Sequence, residues 1–486
     1  MSTQDSFYWF DYETFGTHPA WDRPCQFAGV RTDMNLNEIE EPSVFFCRQS
    51  MDYLPNPIAC QVTGLSPQQV NESGLCESEF IARIIEQIGA PGTCSLGYNN
   101  IRFDDEFTRH ILFRNYRDAY EHEYKDGNSR WDLLDVVRLT RALRPDGINW
   151  PVNDEGRPSN RLEHLTAANG IEHGNAHDAL SDVRATIGIA RLIRQKQPRL
   201  FSYAFELRTK HAVAKSLNVR QANISLLVST NIPATRSHLA AILPICLDPK
   251  RGNSVIVLDL QNDPTQWLDL SADEIARLTF NRGKSTNRPG LMTVQTNKCP
   301  VVMPYRALLD ADAERLGIDK TRIEKHRQIA QRLHSDEMRS KIAQAMHREW
   351  ESEDVEVEGS LYSGGFFSAD DKQRAAALLN ANPASIQGIG IHFEDERLKR
   401  LAPRFQARNY PESLSAAGLE KWKAFCHDRL TDDSSPWLSF SQFDEVMSST
   451  SWNSVTDSLK EDLIAYRALV AEHAQADQRV PAVEET

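Results

Sequence analysis

From residue 7 to residue 49 the apolar positions fall in short dense runs, FYWF, QFAGVRT and SVFFCRQ. Turns containing Pro, Asn and Asp separate them, and the pattern predicts three strands. SEFIARIIEQI then repeats its apolar residues every three or four positions, the period of an amphipathic helix, and TCSLGYN returns to a strand. The same helical spacing runs through FDDEFTRHILFRNY, RWDLLDVVRLTRAL, RLEHLTAANGI and HDALSDVRATIGIARLIRQKQ. Between the second and third of these lies RPDGINWPVNDEGRPSN, residues 144–160, too rich in Pro, Gly and Asn for helix or strand. Loops of that length inside a compact domain tend to carry function. Three strands, then strands alternating with helices, predict an α/β layered fold over residues 1–198.

The pattern changes over residues 199–350. SLLVST, HLAAILPI, SVIVLDL and LMTVQT read as strands, with the turn clusters DPKRGN and NRGKSTNRPG between them. A small β-barrel or sandwich follows from this, with charged helices after it from about Asp310 to Glu349. Beyond the acidic linker SEDVEVEGS, residues 352–360, the third stretch (355–478) is mostly helical. Its helices are DDKQRAAALLNA, LEKWKAFCHDRL, SFSQFDEVMSS and SVTDSLKEDLIAYRALVAEHAQ, and the tail RVPAVEET is expected to fray. No internal repeat is present.

Composition narrows the function classes. A chain of 486 residues with 40% apolar content fits two to four domains. A net charge of −13 excludes binding to nucleic acid by bulk charge alone, and leaves a locally basic channel open. None of the eight cysteines forms a C-x-x-C pair, which removes zinc-ribbon and thioredoxin-like spacings; scattered thiols fit a reducing compartment. The N-terminus has no basic region before an apolar run, and no apolar run is long enough to span a bilayer. A soluble, cytoplasmic protein without a membrane partner is expected.

The candidate chemistry begins at FYWFDYETFG. On a strand, residues i and i+2 share a face, so Asp11 and Glu13 stand side by side. Two such carboxylates are costly to desolvate together unless a cation lies between them; the commoner explanation of the pair alone is a solvated strand end. NNIRFDDE puts Asp104 and Asp105 in a first helical turn, where the helix dipole favours anions and simple capping accounts for them as readily. NAHDALSDV places His177 at or just before a helix start and makes Asp178 its cap. Asp182 falls on an apolar face with Ala179, Val183 and Ile187, where capping does not explain a carboxylate and a partner is required.

Taken in order, D-x-E on a strand, N-x-x-F-D at a helix start and H-x-x-x-x-D on a late helix resemble the three motifs of the DEDDh exonucleases. The resemblance implies an RNase H-like fold. It makes Asp11, Glu13, Asp104 and Asp182 metal ligands and His177 the general base, and it does not match Asp105. Four carboxylates suit two hard divalent cations, Mg²⁺ with Mn²⁺ as a substitute, flanking a scissile phosphate. A histidine with an ordinary pKa near 6.5 suits proton abstraction near neutrality.

DYETFGTHPAWDRPCQFAGVRTD, TGLSPQQV, GYNNIRFDDE, NSRWDLLDVVR, LRPDGINWP, RLEHLTAANGIEH and NAHDALSDV are similar to the bacterial exonuclease I family. So, more loosely, are NKCPV and RFQARNYPESL in the later stretches. The resemblance implies an RNase H-like exonuclease domain, an SH3-like β-barrel domain and a C-terminal helical domain that together clamp a strand. It implies release of 5′-mononucleotides from the 3′ end of single-stranded DNA, by a monomer acting in repair and recombination. It assigns substrate contacts to Glu13, Arg161, Arg109, Tyr120, Tyr124, Arg138, Tyr203 and Lys210. It adds as a partner the acidic C-terminal tail of single-strand DNA-binding protein, with Arg144 in the pocket; basic residues expected near Leu309 and Gln331 are missing, although Arg306, Arg322, Arg327 and Arg332 lie close. Three alternatives stay open: an RNA-directed 3′ exonuclease with the same site, a non-catalytic clamp, and a phosphodiesterase of small nucleotides.

Overall fold

The computed structural model describes residues 5–174, 178–280, 290–347, 356–453 and 456–475. The first domain is built on a mixed sheet of β1 (Ser6–Thr14), β2 (Pro24–Thr32), β3 (Ser43–Phe46), β4 (Thr93–Gly97) and β5 (Ser129–Asp132), in the order β3-β2-β1-β4-β5. β1 runs antiparallel to β2 and parallel to β4, and β4 runs parallel to β5. RWDLLDVVRLTRAL, expected as one helix, is divided. Arg130–Asp132 belongs to β5, and the helix is Leu133–Leu143 with Asp132 as its N-cap. A short parallel strand buried on both faces lacks the alternation that marks exposed strands. The other helices of this domain that bear on the site are Asp104–Arg114, Leu162–Asn169 and Ala179–Lys196.

The aromatic start of β1 splits between two cores. Phe7 and Trp9 pack with Trp131, Val183 and Ile187 on one face of the sheet. Tyr8, Phe10 and Tyr12 pack with Phe27, Phe80, Ile84 and Phe107 on the other. Asp11 and Glu13 therefore continue the row begun by Phe7 and Trp9, at the C-terminal end of the central strand.

The second domain carries an antiparallel sheet of β6 (Ser225–Val228), β7 (Leu239–Leu247), β8 (Ser254–Asp259), β9 (Leu291–Gln295) and β10 (Val301–Pro304), ordered β10-β6-β7-β8-β9. One face joins the core of the first domain through Leu226, Ala241 and Ile256. The other is covered by Leu207 and Val213, from the segment holding helices Pro198–Glu206 and Lys210–Ser216. Most of NRGKSTNRPG, residues 281–289, lies outside the described residues.

The third domain is helical, as its spacing predicts, and docks directly on the first. Trp422, Phe443 and Tyr466 pack against Phe15, Tyr53 and Cys60, while Leu398, Leu401 and Phe405 pack against Phe113 and Tyr116. Between these apolar contacts lies a buried ionic cluster. Glu358 accepts hydrogen bonds from Arg23, Arg408, Arg404 and Arg429 at 2.6, 2.6, 3.1 and 3.3 Å, and Asp52 accepts from Arg408 and Arg429 at 2.7 Å each. All eight cysteines are free thiols, and among the described residues no helix is long and apolar enough to cross a membrane.

Candidate active site

The site forms where β4 leaves β1. Their pairing ends at Trp9 and Leu96, and β4 turns away at Gly97, where an added Cβ would meet the Phe10 carbonyl at 2.6 Å. The last third of β1 is thus paired with β2 alone. On its open edge the Tyr12 N–H donates to Asp104 Oδ1 at 3.1 Å, so a side chain replaces the missing strand. That bond fixes Asp104 at the start of its helix beside Asp11. Asp182 comes from the opposite side, one turn into helix Ala179–Lys196, whose N-cap Asp178 accepts from the Ser181 N–H at 3.1 Å as the sequence predicts. Ligand oxygens of Asp11, Glu13 and Asp182 all lie within 4.8 Å of one another.

Their electrostatics are those of a cation site. Burial, then the charges of Asp104 and Asp182, push the Asp11 carboxyl well above its usual range. Burial, then Asp11 and Asp182, push Glu13 up to about 9, and burial also raises Asp104 well above its ordinary value. A cluster this hostile to negative charge fits divalent cations, which supply the missing counter-charge; the all-oxygen donor set suits a hard ion. Asp105, next along the chain, is turned away: it accepts from Arg130 Nη1 at 2.6 Å and from Asn100 Nδ2 at 3.3 Å. His177 lies outside the described residues. The sequence reading missed His173, whose Nε2 is 2.6 Å from Asp182 Oδ1. Its only signal was a second histidine in GIEHGNAH.

The remaining candidates have varied surroundings. Loop 144–160 is pinned by Arg141, which donates to the Ser159 and Pro151 carbonyls, and it delivers Arg161 as the N-terminal cap residue of helix Leu162–Asn169. Arg161 is largely exposed, 3.5 Å from Glu163. Tyr124 and Lys210 are also exposed. Arg109 is buried among Glu123, Glu106 and the Tyr362 hydroxyl, with its guanidinium 5.3 Å from the centre of the half-buried Tyr120 ring. Arg138 pairs with Asp135 at 2.7 Å, and Tyr203 donates to the Val302 carbonyl at 2.9 Å. Arg144 bridges the first two domains, reaching Asp312 at 3.2 Å and the Ala307 carbonyl at 3.1 Å.

Carboxylates gathered from a central strand and two helices at one end of this sheet define a metal-dependent nuclease with an RNase H-like catalytic domain. Family models agree along the chain: an exonuclease domain matches residues 8–190, an exonuclease I SH3-like domain residues 208–348, and an exonuclease I C-terminal domain residues 354–469. Exodeoxyribonuclease I of Haemophilus influenzae is 44% identical over 432 residues, which span 87% of this chain and 90% of that protein. The zinc-bound complex of Escherichia coli exonuclease I with single-stranded DNA superposes with a TM-score of 0.90 at 38% identity, over 96% of this chain and 100% of that one. An exonuclease I structure in complex with the C-terminal segment of SSB gives 0.88 at 38% identity, over 97% and 100% of the two chains. The chain belongs to the exodeoxyribonuclease I family. It is a 3′–5′ exodeoxyribonuclease of a superfamily that needs divalent metal ions.

Proposed function

We propose that this chain hydrolyses single-stranded DNA stepwise from the 3′ end, with Asp11, Glu13, Asp104 and Asp182 holding two Mg²⁺ ions and His177 as general base. The observation that carries this reading is the convergence of Asp11, Glu13 and Asp182 within 4.8 Å, beside Asp104. When bound, the ions would neutralise the phosphate and make water a competent nucleophile at neutral pH. The protein holds the carboxylates rigidly on a strand and two helices, and His177 takes the proton of the attacking water. Glu13 and Arg161 contact the terminal nucleotide. Farther along, Tyr120, Tyr124 and Tyr203 offer faces for bases, while Arg109, Arg138 and Lys210 offer charge for phosphates. Arg109 and Arg138 exchange a carboxylate partner for a phosphate when the strand enters. Arg144, at the boundary of the first two domains, receives the acidic tail of single-strand DNA-binding protein, and the enzyme works as a cytoplasmic monomer.

The test is a time course on 3′-end-labelled single-stranded DNA with and without Mg²⁺. Labelled mononucleotide released from the outset, and only with metal, is the expected result. Internal fragments, or equal rates on blunt duplex, would overturn the reading.

A further inference from the structure

Residues 170–173, which follow helix Leu162–Asn169, are anchored in three steps that lead His173 to Asp182. Gly170 ends that helix with φ of +63°, and the Ile171 N–H then donates back to the Thr166 carbonyl at 3.0 Å. Ile171 next lies flat on helix Ala179–Lys196 at Gly188, where an added Cβ would stand 2.6 Å from its Cγ2. That seat exists only because position 188 has no side chain. His173, two residues on, is left with both ring nitrogens engaged: Nδ1 is 3.0 Å from Thr166 Oγ1 and Nε2 is 2.6 Å from Asp182 Oδ1. Thr166 is itself buried and fixed, its hydroxyl 3.0 Å from the Leu162 and Glu163 carbonyls. The side chain of His173 is only 8% exposed.

From this geometry we infer that His173 is a positioning residue, which with Thr166 sets the plane of the Asp182 carboxylate for cation binding. A carboxylate on a helix keeps rotational freedom about its last torsion. Among like charges that repel it, Asp182 is driven to turn away from Asp11 and Glu13, and each hydrogen-bond partner that resists the turn favours the ligating orientation. The imidazole is such a partner, and its own seat is almost fully buried. Partners of this kind, one shell out from the metal, orient the ligands and govern affinity. His173 is not placed to accept a proton from water, because neither ring nitrogen is open. The general base proposed above, His177, is a different residue, four positions on in the sequence.

The inference rests on the carboxylate–cation reading above, and one experiment separates the two. Mn²⁺ binding to the full-length, metal-free protein is measured by calorimetry, beside the thermal unfolding of the same samples. His173→Ala is expected to weaken Mn²⁺ binding about 10- to 100-fold. His173→Gln, whose amide N–H reaches Asp182 in a similar way, is expected to recover most of that loss. Thr166→Val keeps the ring but loosens it and is expected to fall between, so the inference stays testable if His173→Ala fails to fold. Wild-type affinity in both His173→Ala and Thr166→Val, or tighter binding in His173→Ala, would overturn the positioning role alone. No Mn²⁺ binding by the wild type would overturn the cation reading and the inference with it.

Discussion

Replacing Glu358 by Gln removes the negative centre of the ionic cluster that joins the third domain to the first. Glu358 is 1% exposed and meets four guanidinium groups, at 2.6, 2.6, 3.1 and 3.3 Å. Burial alone would raise its carboxyl; Arg408, Arg23, Arg429 and Arg404 overcome that and hold it well below the usual range. The cluster is already rich in cations: burial pulls Arg429 down to about 10 despite Asp52 and Glu358, and its Nε and Nη2 find no hydrogen-bond partner among the described residues. With Gln at 358, Asp52 is left to balance Arg23, Arg408 and Arg429, and the amide turns a donor toward one of them. Breaking a buried pair in this way costs about 3–5 kcal/mol, a large share of the roughly 5–15 kcal/mol that holds a domain together. The assay is urea unfolding of wild type and Glu358→Gln from pH 7 down to pH 3. The acid's folded pKa is depressed, so its stabilisation is fully present above the unfolded value of about 4.3 and fades as pH falls toward the folded one. The gap between the two proteins is therefore largest at neutrality and narrows in acid. A gap below about 1 kcal/mol at pH 7, within the range of a single neutral hydrogen bond, would mean that Glu358 does not hold the cluster together. So would a gap that widens on acidification.

At the active site the sign is opposite. Glu13 is pushed up to about 9 in the metal-free protein, so its charged form opposes folding, and stability is lost as pH rises from about 4.5 to 9. Glu13→Gln is expected to melt higher than wild type above pH 7 without metal, to lose that advantage with Mg²⁺ present, and to lose more than ~100-fold in exonuclease rate, beyond the effect of an outer-shell partner. Asp105→Asn tests the neighbouring carboxylate. Its bond to Arg130 makes it structural, so a loss of about 1–3 kcal/mol in urea is expected with the Mg²⁺ dependence of the rate unchanged.

Whatever depends on neighbours along the chain is legible in the residues alone. Period two made Asp11 and Glu13 a pair on β1, and period 3.6 put Asp182 among the inward positions of its helix with Asp178 as cap. The order of the motifs, D-x-E, N-x-x-F-D and H-x-x-x-x-D, carries the resemblance to the nuclease family without any tertiary contact. The β5 strand was not legible, because Ser129–Asp132 is buried in a parallel sheet and runs straight into a helix of the same apolar density. Helix Glu396–Asn409 was missed as well; its apolar positions are sparse and Pro403 interrupts it, yet Phe405 and Leu401 bury it against Phe113 and Tyr116. It takes the folded chain to show that Asp104 accepts from the N–H left open by β4, that Asp105 turns to Arg130, and that His173 reaches Asp182. The fold alone sets Glu358 among arginines drawn from three separate parts of the chain. In each case the deciding force is the cost of desolvating a charge. That cost depends on which groups the fold brings within a few ångströms, and no local pattern of residues records it.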